Sequence, residues 1–504
     1  MLYRIPMISR KSVPQWEAQN IQKYDSAYKG SSCLTAALKR NVIREVAGIL
    51  NKPCTAVFND FEKFFDSIEI PVLIDEAIAT DYSLCDLSLA LQNHLAPRAL
   101  QAGGFTSKAA QVYKSILAGC RQSVAMTRAL LLRLMIRLAT EHRTCPPAVH
   151  VDDTCMQKYG NDIPQVTNAI APCILQFAKG VKKLGLTLSP KGVIVSSAAK
   201  ISAALCKEFL DNDIIFKIDT HARDVGVSYT ANARTSVLLD SRILKNMSKF
   251  VKLKQLSAIS RNTRKLFSGA GFSSSTWSHP SCGVSRIQLK KIEAGGLAAS
   301  GIPQHGRCTT LALNISYGVL GTPTARIIRE TITEWCKVIH GLSDLPQVYL
   351  DLNHAWDLSV LLLMQPTNMK PSNIKGLMTN VISILILVGW FPKAFNRWEE
   401  ASGESEWVLR DPTFSPAALC NAVIHAASSN AIIRASHQYN GYGMQEGIEW
   451  TATLAQLRAS KTPETYPYKC CLESILANSI WSNPRINEMP QENLHHVTDV
   501  GLKI

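Results

Sequence analysis

Three acidic residues carry the most chemistry in this chain. Asp60 closes the short apolar run Cys54-Thr-Ala-Val-Phe58-Asn59, and Asp152-Asp153 sit between the strand-like pieces Ala148–Val151 and Thr154–Gln157. Carboxylate oxygens are hard donors suited to Mg²⁺ or Mn²⁺. Two such ions about 3.5–4 Å apart drive in-line phosphoryl transfer by activating the attacking oxygen and neutralising the leaving one. Strand ends are rigid enough to hold several carboxylates together, and the ions relieve their repulsion. The alternative is two surface turns bearing solvated aspartates. The apolar strand before each acid weighs toward the first reading.

The elements that must position these acids can be read from periodicity. Apolar positions at Leu34, Ala37, Val42, Val46 and Leu50 predict helix across 14–50, broken by Pro53. Helices are expected from Ile70, over Ala125–Ala139 and over Val166–Leu184. The two pieces around Asp152-Asp153 predict a β-hairpin with both acids at its tip. Leu186–Ser196 reads as strand-turn-strand and Asp224–Thr230 as a further strand. Beyond Ala231 the pattern is helical, with a Gly/Ser-rich loop expected over Ser268–Gly283 and a linker over Pro366–Pro371.

Composition bounds the partners. The 504 residues carry 54 Lys and Arg against 39 Asp and Glu, a net charge of +15, which favours a polyanion such as nucleic acid. The charge is concentrated. Arg234, Arg242, Lys245, Lys249, Lys252, Lys254, Arg261, Arg264 and Lys265 face one acid, Asp240. Apolar Val237, Leu238, Ile243, Leu244, Phe250, Leu253 and Leu256 should form the packing face there, leaving the cations for phosphates. At 46% hydrophobic residues, bulk disorder is excluded. The 14 cysteines include no CxxC pair, which argues against a zinc ribbon and for reduced thiols in an intracellular setting. The N-terminal stretch lacks the apolar core of a signal peptide. The apolar run Leu377–Phe391 contains Asn380 and falls short of the ~20 residues of a spanning helix, so no membrane partner is expected.

The ordered set of motifs resembles reverse transcriptases, most nearly those of non-LTR (LINE-like) retrotransposons. FNDFEKFFDSI resembles motif A, ILAGCRQSVAMTRALLLRLM motif B, AVHVDDTCMQ motif C, KKLGLTLSPKGVIVSS motif D and ARDVGVSYT motif E, the primer grip. The resemblance implies an α+β right-hand polymerase. Its parts would be an antiparallel-sheet palm with partial fingers over 1–235 and a basic helical thumb over 236–345, followed by a C-terminal region, 346–504, of unassigned role. It implies RNA-directed DNA synthesis on an RNA template and DNA primer, with deoxynucleoside triphosphates and Mg²⁺ or Mn²⁺. Asp60 and Asp152 would be the principal metal ligands and Asp153 the supporting acid, with the Phe61 carbonyl completing the coordination. Phe65 stands where the family places the steric gate against a 2′-hydroxyl; a core role is its alternative, and Phe64 is the better core candidate. Gly119, Gln122 and Ser123 would lie under template and nucleotide, with two alignments of GCRQS open. Lys191 would donate a proton to pyrophosphate, and Gly226 matches the primer-grip glycine. Arg4, Lys11 and Lys29 are candidates for gripping the triphosphate. His150 replaces the usual aromatic of motif C, and motif B lacks its usual proline. A catalytically inactive nucleic-acid-binding relic and an RNA-dependent RNA polymerase are the competing readings; the bulk of Phe65 opposes the second.

Overall fold

The computed structural model describes residues 11–231, 236–343, 345–411, 413–441, 443–459, 462 and 464–479. Arg4 and Arg234 lie outside the described residues. The protein mixes helices with small, mainly antiparallel sheets, an α+β arrangement. It divides into two compact units, one of 1–235 with 337–359 and one of 236–336 with 360–504. Residues 337–359, which the expected limits split between thumb and C-terminal region, thus return to the first unit.

The first unit is built on a five-stranded sheet. Its strands are β1 (Cys54–Asn59), β4 (Pro147–His150), β5 (Asp153–Tyr159), β6 (Val193–Ser196) and β7 (Lys217–Ile218), in the order β4-β5-β1-β6-β7. The intervening β2 (Gln101–Ala102) and β3 (Phe105–Thr106) form a separate two-stranded ladder, as do β8 (His221–Asp224) and β9 (Val227–Thr230). β1 is central and antiparallel to both neighbours, with Asn59 opposite Thr154 and Phe58 opposite Val193. Alternate side chains take opposite faces. Val57, Met156 and Ile194 enter the main core with Met126, Leu130, Ile174 and Phe177 from the helices Ser123–Glu141 and Ile163–Lys183. Ala56, Cys155 and Val195 lie on the other face, beneath Ala222 and Tyr229 of the β8–β9 hairpin. The helix Cys33–Ile49 also packs on that side: Gln157 Nε2 donates to the Arg40 carbonyl and to Tyr229 Oη, both at 2.9 Å. Asp351 in the returning segment accepts from Lys52 Nζ at 2.7 Å and from Tyr159 Oη at 3.0 Å.

Several expectations change. The helix expected over 14–50 is two helices, Ser12–Asn20 and Cys33–Ile49. Asp25 between them bridges alongside Val149, and Ser32 starts the second helix by accepting the Thr35 N–H. A capping serine with an edge pairing outcompetes continuous helix there. Asp224–Thr230 is not one strand: Asp224 closes β8, Val225-Gly226 turn the chain, and Val227–Thr230 is β9. The turn residues Val225 and Gly226 both have positive φ, 46° and 83°, as a type I′ turn needs. In the acidic hairpin the turn is Val151-Asp152, so Asp153 already belongs to β5, opposite His150.

The second unit is largely helical. The helix Val237–Ser257 buries Leu239, Ile243, Phe250 and Leu253 against Phe267, Phe272, Ile292 and Ala299. Val237, Leu244 and Leu256, expected on that face, are exposed. The stretch 268–283 is not a loop. It runs as a π-helical turn, Phe267–Phe272, then the short helix Ser273–Thr276 and a 3₁₀ turn, His279–Ser281. Phe267 and Phe272 anchor it in the core, and Gly271 lets it approach Phe267 closely: a Cβ there would stand 3.2 Å from that ring. A second cluster joins Leu311, Ile432 and Leu457. The strands β10 (Phe391–Ala394), β11 (Arg397–Glu399) and β12 (Glu406–Val408) form a meander around buried Trp398. No helix among the described residues is long and apolar enough to cross a membrane.

Candidate active site

The sheet register places the candidate acids. Asp60 follows Asn59, whose partner is Thr154, so continuing the ladder sets Asp60 against Asp153. By strand parity Asp60 shares a face with Ala56 and Phe58, Asp153 with Cys155, and Lys191 with Val193 and Val195. All three meet on the face covered by the β8–β9 hairpin. They line a cleft of about 200 Å³ together with Arg40, Phe58, Arg223, Asp224 and Val225. The backbone beyond Asp60 is held by the segment before β6: Ser189 N–H donates to the Asp60 carbonyl at 2.8 Å and Glu62 N–H to that of Thr187 at 3.0 Å. This pairing brings Lys191 to the cleft wall.

Electrostatics ties the acids together. Asp153 is exposed as a residue, but partial burial of its carboxyl raises its pKa, and the charges of Asp152, Asp224 and Asp60 raise it further against the opposing pull of His150. Asp152 therefore acts on the cleft from the adjoining turn without being one of its lining residues. Val151, in the same turn, has φ of 61°. A β-branched residue in the left-handed region is a true outlier, with strain of about 1–3 kcal/mol.

Two wall residues were not singled out from the sequence. Arg40 and Asp224 form a bidentate pair, Nε to Oδ2 at 2.7 Å and Nη2 to Oδ1 at 2.6 Å, and both are buried. The carboxylate beside Arg40 raises its pKa, outweighing desolvation. The available signal was an arginine on a helical face that it shares with the buried Ala37 and Ala47.

The remaining candidates lie apart from the cleft lining. Phe61 is buried, its ring 4.8 Å from Phe64 and 6.1 Å from Phe177, and its backbone bridges to Leu188. Phe64 is buried, whereas Phe65 is half-buried against the main core. Gly119 has φ of 80°, with nothing within 4 Å of where a Cβ would stand, so the turn needs glycine for its conformation rather than for space. Gln122 and Ser123 are buried at the start of the helix Ser123–Glu141, and Ser123 Oγ donates to the Leu117 carbonyl at 2.6 Å. Lys11 and Lys29 are both exposed on the N-terminal segment.

The donor chemistry of Asp60 and Asp153 suits a divalent cation, and the mutual repulsion that raises the Asp153 pKa is what such an ion relieves. Among the described residues, no three His, Cys, Asp or Glu side chains are grouped closely enough to share one ion. The fit is thus two facing carboxylates with Asp152 next to them. Compared with known proteins, the chain matches no family model and no curated sequence.

Proposed function

We propose that the protein is an RNA-directed DNA polymerase, extending a primer on an RNA template with deoxynucleoside triphosphates. The observation that carries this reading is the meeting of Asp60 and Asp153 across the β1–β5 ladder, with Asp152 in the turn and Lys191 on the same cleft wall. The resemblance implies the same three acids but ranks Asp152 as principal ligand and Asp153 as support, whereas the cleft is lined by Asp60 and Asp153 with Asp152 in the adjoining turn. Asp60 and Asp153, assisted by Asp152, would hold Mg²⁺ or Mn²⁺, which supplies charge neutralisation at the attacking and leaving oxygens. Lys191 would hold a proton near the departing pyrophosphate. The buried Arg40–Asp224 pair fixes the β8–β9 hairpin as the opposite wall, where a primer end would rest.

A second reading, nucleic-acid binding without catalysis, is favoured by the absence of a three-donor group among the described residues. Primer extension on a primed RNA template separates the two, run with deoxynucleotides and with ribonucleotides. Extension restricted to deoxynucleotides supports the proposal, and none under Mg²⁺ or Mn²⁺ supports the second reading. Equal use of ribonucleotides would remove Phe65 as a gate.

A further inference from the structure

Between Asp86 and Glu141 the chain contains no acidic residue, while Lys108, Lys114 and Arg121 stand exposed within that stretch. Inside it the β2–β3 hairpin projects from the first unit. Its turn is Gly103-Gly104, with φ of 56° and 84°, the type I′ geometry that matches strand twist. The ladder pairs Gln101 with Thr106 and Ala102 with Phe105, and extends to reciprocal hydrogen bonds between Arg98 and Ala110 at 2.9 and 2.8 Å. Strand parity puts Leu100, Ala102 and Phe105 on one face and Gln101 and Thr106 on the other. Leu100, Phe105 and Tyr113 are 80, 84 and 82% exposed. These side chains contribute little to folding, since they lean on nothing. An isolated two-stranded hairpin is also only marginally stable by itself.

We infer that this hairpin and Tyr113 form a platform for single-stranded nucleic acid. The rings of Phe105 and Tyr113 would stack unpaired bases, and Lys108, Lys114 and Arg121 would meet phosphates. Charge complementarity selects the occupant: an acid-free basic stretch calls for a polyanion, and bare aromatic rings call for one with accessible apolar faces. A single strand offers both, whereas a duplex hides its base faces in the stack. Lys114 also lies 3.6 Å from Glu69, an exposed pair that solvent screens and a phosphate can displace. Use of this platform to hold the unpaired template rests on the polymerase reading. The binding itself does not.

The test is fluorescence anisotropy of the full chain with a short, unstructured, labelled RNA and, separately, a blunt RNA–DNA hybrid. The double variant Phe105→Ala/Tyr113→Ala should weaken single-strand binding by about tenfold or more, from the loss of two stacked bases. Hybrid binding and the melting temperature should be unchanged, and Phe105→Trp should retain single-strand affinity. Lys108→Gln should lower the log–log salt slope for the single strand by about 0.7. A parent protein that extends no primer, yet loses RNA in the aromatic double variant, would sink the polymerase reading and leave this one standing. Unaltered single-strand affinity in the double variant would overturn the inference. So would equal loss of hybrid and single strand. A parent dimer that becomes monomeric in the double variant would assign the surface to a second copy of the chain.

Discussion

The sheet of the first unit and the helix Val237–Ser257 of the second are both apolar segments beside charged residues, yet they differ in how tightly pattern dictates position. In β1 and β5 the period is two, and a one-residue slip would reverse every side chain. Asp60, Asp153 and Lys191 therefore reach one face by register alone. In the helix, apolar residues occupy more than one stripe. Leu239, Ile243, Phe250 and Leu253 are buried while Val237, Leu244, Val251 and Leu256 are exposed among the lysines. Strand alternation is a yes-or-no code. A helix with surplus apolar residues offers several faces, and tertiary contacts choose among them.

The largest effect that would sharpen this contrast is catalytic. On the polymerase reading, Asp153→Asn should reduce primer extension on the order of 10³-fold or more, because it would remove a metal ligand worth several kcal/mol. Asp152→Asn is the informative partner: the family resemblance ranks Asp152 first, the register ranks Asp153. If Asp153→Asn is active and Asp152→Asn is dead, register is the weaker guide. Next come the two kinds of buried and exposed contact. Phe250→Ala should destabilise the protein by about 3–5 kcal/mol in urea unfolding, whereas Leu244→Ala should stay within about 0.5 kcal/mol. Equal losses would mean the helix buries both stripes. Arg40→Met should cost about 3–5 kcal/mol, because it leaves Asp224 buried without its partner.

A smaller effect depends on pH. His94 is fully buried, and burial, with Arg98 nearby, lowers its pKa from 6.5 to about 4. Its Nδ1 accepts the Leu117 N–H at 2.7 Å. The unfolded chain gains a proton below pH 6.5 that the folded chain refuses until about pH 4. Stability should therefore fall across that window as pH drops, by up to about 3 kcal/mol. Urea midpoints measured across the window should flatten in His94→Gln relative to the parent. Smallest is the triple variant Lys245→Gln/Lys249→Gln/Lys252→Gln. It should leave stability nearly unchanged and flatten the salt dependence of duplex binding, by about 0.9 in slope per lost phosphate contact. An unaltered slope would make those lysines ordinary solvated surface.

The legible part of the site was the part written in strands. CTAVF ending in Asn-Asp gives Asp60, and the paired acid after an apolar strand gives Asp153, although the resemblance ranks Asp152, which stands outside the cleft lining, ahead of it. Lys191 came from the motif D resemblance, and the antiparallel β1–β6 pairing sets it on the same wall. The Arg40–Asp224 pair was not legible, because the partnership spans most of the first unit and nothing in the string ARDVGVSYT, which contains Asp224, points to Arg40. Ser268–Gly283 misled because Gly and Ser signal loops on average. Here Phe267 and Phe272 supply enough burial to hold helical turns, and Gly271 permits close packing on Phe267. The break at residues 21–32 was hidden by flanking helices of compatible period.

The two turns beside the cleft share an oddity. Val151 between β4 and β5, and Val225 between β8 and β9, both hold left-handed backbone, a place glycine fills at no steric cost. Each is a local misfit kept in place by its surroundings, so the cleft is bordered by two loaded springs. A population of variants selected only for heat resistance should converge on relaxing these positions. The backbone beside Asp152 and Asp224 would then gain freedom, so robustness and aim would be traded against each other at two identifiable codons.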